Sequence, residues 1–194
     1  MRYRTIVADP PWDYGVDNQV PCSPSNRGGA NPVRGDIIKR PFPYPPMSLG
    51  EISSIPVRDL GESDSRLFLW TTNRHLPDAF SVLSAWGYRY RQTLIWSKTG
   101  NPSPFGGSVA PNHAEFLLIA VRGNPPVTKR HASNVLLAPA ANNHQHSSKP
   151  ELFLDLIEQV SPGPYLELFA RRQRLGWDTW GNEALNHIEL GGAA

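Results

Sequence analysis

Cysteine is almost missing from this sequence: Cys22 stands alone, which excludes an internal disulfide and any zinc site built on a cysteine cluster. No apolar run approaches bilayer length, so a membrane-embedded chain is not expected. The opening Met1-Arg-Tyr-Arg-Thr passes straight into a strand pattern, without the n-, h- and cleavage regions of a secretory leader. The expected compartment is the cytoplasm. Neither G-x-G-x-x-G nor G-x-x-x-x-G-K-[ST] occurs, which argues against a dinucleotide or nucleoside triphosphate cofactor. His144 and His146 alternate as ligands do, but no second cluster accompanies them, so a polar loop is the better reading and no metal is expected. Excess charge is also lacking. A net charge of +2 does not by itself mark a nucleic-acid-binding protein, although basic residues gather at Arg27, Arg34, Lys39, Arg40 and at Arg171, Arg172, Arg174.

What is present fits one soluble domain: 194 residues, 39% of them hydrophobic and 10% aromatic, enough for a sizeable core. The most informative stretch is Thr5-Ile-Val-Ala-Asp-Pro-Pro-Trp12. Its apolar run stops at an acid, and two prolines then forbid both ladder hydrogen bonds and an immediate helix. Asp9 and Pro10 each precede a proline, so both are held in extended or turn geometry. A buried strand thus delivers a carboxylate to a rigid turn, with a large aromatic face one step away.

That set suits an exocyclic amine. The N6 lone pair of adenine is delocalised into the ring, so a catalyst must draw both N–H groups out of plane, and this takes two acceptors. The Asp9 carboxylate and the Pro10 carbonyl supply them, Pro11 fixes the turn, and Trp12 is expected to stack on an extruded base while a methyl sulfonium is attacked in line. The plainer alternative is a strand-end aspartate capping a Pro-Pro turn, with Trp12 in a core.

Asp9-Pro-Pro-Trp12 resembles the DPPW motif of amino-group methyltransferases that use S-adenosylmethionine. More narrowly, residues 4 to 183 resemble the MT-A70-like N6-adenine methyltransferases, which include the catalytic subunit of the eukaryotic messenger-RNA enzyme and many bacterial and phage DNA adenine methylases. The supporting stretches are Tyr44-Pro-Pro-Met-Ser-Leu, Leu67-Phe-Leu-Trp-Thr-Thr-Asn73, Leu94-Ile-Trp-Ser-Lys98, His113-Ala-Glu-Phe-Leu-Leu, Ser148-Lys-Pro-Glu151, Leu166-Glu-Leu-Phe-Ala-Arg171 and Trp180-Gly-Asn-Glu183. Their order carries the resemblance.

Along the chain, Asp13 to Met47 is rich in Pro, Gly, Ser and Asn without a period, and reads as a long loop over the active site or a disordered insertion. Tyr14 is its residue expected nearest the base, where the resemblance implies a position along the substrate mouth. Ser48 and Glu51 form a capping box for a helix from Leu49 to Ile55, which Pro56 ends. After an acidic turn, Leu67 to Trp70 reads as a buried strand, Leu76 to Trp86 as a helix closed by Gly87, and Tyr88 to Trp96 as a strand presenting Ser97 and Lys98, together a parallel crossover. The resemblance implies that Trp70 and Trp96 lie near the substrate, whereas large hydrophobes in strands are more often core. Residues 99–112 form a second expected active-site loop. Glu115 precedes an apolar strand from Phe116 to Val121, and its family counterpart helps hold the adenine-side loop. Asn134 to Leu137 is a further short strand.

The last third reads as the cofactor half. Pro150 suits a helix start, Leu152 to Val160 continues the helix, Tyr165 to Phe169 and Trp177 to Trp180 are strands, and Gly181-Asn-Glu183 follows. A phosphate-free cofactor, S-adenosylmethionine, offers a carboxylate, a ribose and an adenine that Lys149, Glu183 and Asn182 match in turn. The resemblance implies cofactor contacts for Lys149, Arg171, Asn182 and Glu183, with Gln173 adjacent. The expected set also includes Ala8, Asp9 and Phe169.

Because the catalytic turn comes too early for a cofactor strand to precede it, the fold is expected to be permuted: an α/β, Rossmann-like methyltransferase fold with a mainly parallel sheet of about seven strands and helices on both faces. The expected domain spans residues 1–183, with a frayed tail over 184–194. DNA is favoured over RNA as partner, and the protein is expected as a monomer or homodimer. The alternatives are an RNA N6-adenosine methyltransferase, a non-catalytic nucleic-acid-binding subunit, and N4-cytosine methylation. An acid at position 9, where serine would imply cytosine in the resemblance, favours adenine.

Overall fold

The structure, a computed structural model, describes residues 2–14, 45–100, 109–110, 112–140 and 149–190. Most of the 13–47 loop, the 101–108 stretch, Cys22, the cluster from Arg27 to Arg40, His144, His146 and residues 191–194 lie outside the described residues. Among those described, no helix is long and apolar enough to cross a membrane.

Residue alternation builds a two-faced sheet. Strand β1 (Tyr3–Ala8) sends Ile6 and Ala8 into one apolar layer and Val7 into the other, because successive strand side chains point to opposite faces. The first layer takes Leu67 and Leu69 from β2 (Gly61–Thr71) and Leu166 and Leu168 from β6 (Tyr165–Leu168), covered by α1 (Leu49–Ser54) and α3 (Leu76–Ala85). The second layer takes Val7, Phe68, Trp70, Leu94 and Trp96, covered by Phe153, Leu154, Leu156 and Ile157 of α4 (Glu151–Val160). Helices therefore lie on both faces of a seven-stranded sheet.

With β3 (Arg89–Thr99), β4 (Ala114–Arg122), β5 (Val135–Pro139) and β7 (Trp177–Trp180), the strand order is β5-β3-β4-β2-β1-β6-β7. All neighbouring pairs are parallel except those of β4, which runs antiparallel to both β2 and β3. The expected crossover from β2 through α3 to β3 keeps its direction, but β4 is slotted between the two strands. A reversed strand starts where its neighbours end, so Glu115 pairs with Trp96 at the same rim as Lys98.

Local signals hold where their chemistry is local. Ser48 and Glu51 make both halves of the capping box, and Gly87 closes α3 with a φ of +76°. A four-residue helix α2 (Val57–Leu60), unexpected after Pro56, leads into β2. The expected acidic turn before Leu67 is instead the first part of β2, where Tyr3 pairs with Gly61 and the polar side chains of Glu62 to Asp64 face out. The expected frayed tail also needs correction as far as Leu190. Thr179 Oγ1 donates to the Leu185 carbonyl at 2.6 Å, the His187 N–H donates to the Thr179 carbonyl at 2.8 Å, and Ile188 and Leu190 pack on the first layer.

Candidate active site

The chain leaves β1 toward β2 on one side, and β6 toward β7 on the other, so the crevice between the carboxyl ends of β1 and β6 is the topological switch point of the sheet. Open parallel sheets bind ligands at such points. Asp9 ends β1 there and Phe169 ends β6. Phe169 has a φ of +63°, an uncommon left-handed backbone for a bulky residue, which commonly marks a functional site.

Asp9 anchors a chain of alternating charges. Lys149 Nζ, just ahead of α4, lies 2.8 Å from Asp9 Oδ2 and 3.2 Å from Glu115 Oε2, and Lys98 donates to the other Glu115 oxygen. Below these ammoniums lie indoles, Trp70 under Lys149 at 5.3 Å and Trp96 under Lys98 at 4.7 Å. Burial alone would push the Lys149 ammonium down, but Asp9 and Glu115 outweigh it and hold the group well above its ordinary range. Burial likewise opposes ionisation of Glu115, yet the two lysines hold its carboxyl below the usual value. Lys149 and Glu115, which burial alone would tend to neutralise, thus each hold the other charged at the end of the central strand.

The Pro-Pro turn is tied from both sides. Trp12 N–H donates to the Pro10 carbonyl at 2.9 Å, and Met47 N–H donates to the Pro11 carbonyl at 2.9 Å. One lone pair of the Pro10 carbonyl is therefore occupied and one remains. The Trp12 indole N–H donates to the Trp70 carbonyl at 3.1 Å, the ring stacks on His75 at 5.4 Å and 12°, and the side chain is only 6% exposed. The expectation that Trp12 offers a face to a base is corrected by this burial: in this conformation the indole anchors the turn. Trp70 and Trp96, each 2% exposed, are likewise core floor under the lysines rather than open walls. Tyr14 is the half-buried aromatic at the mouth, its hydroxyl 3.2 Å from Thr72 Oγ1.

A family model described as MT-A70 matches residues 3–183, spanning the whole of this sheet and the site on it. The chain belongs to the MT-A70 family. Among its relatives, the type II methyltransferase M.MunI from Mycoplasma sp is 34% identical over 97% of this chain and 81% of its own length. The human N(6)-adenosine-methyltransferase catalytic subunit METTL3 is 26% identical over 97% of this chain, which spans 29% of that protein. A rice protein named as a probable N(6)-adenosine-methyltransferase, MT-A70-like, is 28% identical, and this chain spans 24% of it. The protein is accordingly a methyltransferase of the family whose resemblance the DPPW stretch carries, and its sheet is the mainly parallel, permuted one expected.

Within this MT-A70 domain the structure brings Asp9, Lys149, Glu115 and Lys98 into one connected group, with Pro10, Pro11 and Tyr14 around it. It keeps Ala8 fully buried in the first layer, beneath the site. Phe169 and Arg171 are half-buried at the end of β6, while Gln173, Asn182 and Glu183 are exposed on the turns that follow β6 and β7. Asn182 and Glu183 follow β7, the edge strand next to β6, and so lie one strand away from the charged chain that Asp9 anchors.

Two residues escaped the sequence reading. Glu167 on β6 pairs in register with Val7, two residues before Asp9, and one of its carboxylate oxygens is buried without a hydrogen-bond partner. Burial, reinforced by Asp9 and Glu151 and opposed by Arg172 and Arg174, pushes its pKa up to about 7. An acid between Leu166 and Leu168 in an apolar strand was the available signal. The other residue is His75, flanking α3, which carried no motif at all.

Proposed function

We propose that this chain transfers a methyl group from S-adenosylmethionine directly to the N6 amine of an adenine extruded from DNA. The observation that carries the reading is the Asp9 carboxylate at the switch point beside a Pro10 carbonyl with one lone pair left: two fixed acceptors one residue apart, as an exocyclic amine requires.

The residues fit the cofactor. Glu167 has a buried carboxylate oxygen without a partner beside the crevice, an acceptor suited to the ammonium of the methionine end. Lys149 would face the carboxylate of that end, and Asn182 and Glu183 the adenine and ribose. When bound, S-adenosylmethionine supplies a methyl group on a sulfonium. Asp9 accepts one N–H of the adenine amine and Pro10 the other, which turns the nitrogen lone pair out of the ring plane. On transfer of that methyl group the amine would lose a proton, which Asp9 would accept, and Lys149 holds that carboxylate in place. Tyr14 bounds the mouth from the Thr72 side. No covalent enzyme intermediate is needed.

DNA is favoured over RNA because M.MunI, which shares most of its length with this chain, bears the name of a type II methyltransferase. RNA is the second reading, supported by the relatives named as N(6)-adenosine-methyltransferases. The deciding experiment incubates the purified protein and S-adenosylmethionine with single-stranded DNA, duplex DNA or RNA, followed by nucleoside mass spectrometry. N6-methyladenine in a DNA pool is expected. The same mark in RNA alone would reassign the substrate, N4-methylcytosine would reassign the base, and cofactor binding without any mark would point to a partner-dependent subunit.

A further inference from the structure

His75 stands behind the catalytic turn and touches both of its aromatic residues. Its ring lies parallel to Trp12 at 5.4 Å and 12°, and meets Tyr14 edge-on at 4.7 Å and 80°. The residue is 7% exposed. Nδ1 lies 3.1 Å from Asp78 Oδ2, one turn into α3, so with an ionised aspartate this nitrogen carries the proton and donates it. Nε2, on the other side of the ring, is buried without a partner. A phenylalanine would fill this place without an unsatisfied nitrogen, so packing alone does not account for an imidazole. What the imidazole adds is the bond to Asp78, which fixes its ring plane relative to α3 while the backbone N–H of His75 donates to the Thr72 carbonyl at 3.1 Å.

We infer that His75 is a positioning residue for methyl transfer: clamped by Asp78, it sets the plane of Trp12 and the edge of Tyr14, and through them the Pro10 acceptor and the mouth. The route is short and physical. Trp12 N–H is bound to the Pro10 carbonyl, and the Trp12 indole is held between the Trp70 carbonyl and the His75 ring. If the ring is lost, Trp12 can tilt, and the carbonyl it holds swings with it. Small displacements of a positioned acceptor cost a large factor in rate while leaving a cofactor bound elsewhere undisturbed. The inference rests on the methyl-transfer reading for its kinetic arm only.

The test compares His75→Ala, His75→Asn and His75→Phe. Asparagine keeps a polar group for Asp78 without the stack, and phenylalanine keeps the stack without Asp78. The expected result is a kcat lower by about 10- to 100-fold for Ala and Asn, an intermediate loss of a few-fold for Phe, and a cofactor KM within about 3-fold throughout. A second readout needs no activity: the indole N–H of Trp12, assigned by its loss in Trp12→Phe, exchanges with solvent faster in Ala and Asn than in Phe or the wild type. Wild-type kcat with His75→Ala, or unchanged exchange of the Trp12 indole in that variant, overturns the inference. Loss of cofactor affinity in parallel with kcat also overturns it, since that marks general unfolding. A wild type without methylation activity refutes the methyl-transfer reading instead, and the exchange experiment still decides the clamp.

Discussion

Lys149, just ahead of α4, holds Asp9 at the end of β1 through a 2.8 Å ion pair. The same ammonium serves Glu115, so one cation offsets the repulsion between two carboxylates. The raised pKa of Lys149 contributes stability below the unfolded lysine value and is lost as pH rises through the folded one. The lowered pKa of Glu115 contributes stability above the unfolded carboxylate value and is lost as pH falls through its folded value. Lys149→Met is expected to destabilise the protein by about 2–4 kcal/mol at pH 8. The difference should shrink in acid as the freed carboxylates protonate. Urea midpoints from pH 3 to pH 8 measure it, and a pH-independent loss would mean that packing, not charge, is what Lys149 provides.

Asp9→Ala removes one of the two amine acceptors but leaves Lys149 paired with Glu115. Methylation is expected to fall by at least about 10²- to 10³-fold, in the range found when one fixed transition-state partner is deleted. Cofactor affinity should stay within a few-fold, as calorimetry would show. Retained turnover would sink the assignment of Asp9 to the amine.

Glu167 makes a pH prediction of the opposite sign. Its folded pKa of about 7 lies above the unfolded value, so the native state holds more protons between those limits and stability falls as pH rises through them. Glu167→Gln should therefore stabilise the unliganded protein at pH 8 by roughly 1–3 kcal/mol, with the gain vanishing near pH 4. A bound ammonium favours the charged carboxylate, so wild-type cofactor affinity should increase from pH 6 to pH 8. The Gln variant should bind more weakly with little of this slope. Equal slopes would place the cation elsewhere.

Gly181 follows β7 and lies against the turn after β6. A Cβ there would collide with the Ala170 carbonyl oxygen, and would come within 2.6 Å of Ala170 N and 2.9 Å of Phe169 C. These backbone atoms follow the left-handed Phe169, and Ala170 N–H is bonded to the Trp180 carbonyl at 3.0 Å. Gly181→Ala is expected to cost about 1–3 kcal/mol and to weaken cofactor binding more than tenfold. Thermal unfolding and a binding titration report the two effects separately.

Much of this was readable from local chemistry. Asp9-Pro-Pro-Trp12 announced a carboxylate on a rigid turn, the Ser48-x-x-Glu51 box announced α1, and short apolar runs announced β1 and the buried part of β2. What escaped depends on contacts between distant segments. The run from Phe116 to Val121 is apolar toward both faces and reads the same in either direction, so nothing in it revealed that β4 is reversed. Gly61 to Ser65 is too polar to look like a strand, and becomes one because Gly61 pairs with Tyr3 of β1 and Ser65 with Arg122 of β4. Trp12 looked like a base-stacking platform because His75, which covers it, comes from another element.

Strand β1, which carries Asp9 at its end, lies between β2 and β6, and β6 follows β2 to β5 in chain order. During synthesis Asp9 therefore emerges long before Leu168, and β1 gains its second flanking strand only after Leu168 has left the ribosome. Until then β1 presents an unpaired edge and the crevice has one wall. A nascent chain of this kind is exposed to strand-mediated association until β6 has been made, so expression yield should respond to elongation rate and to early chaperone capture.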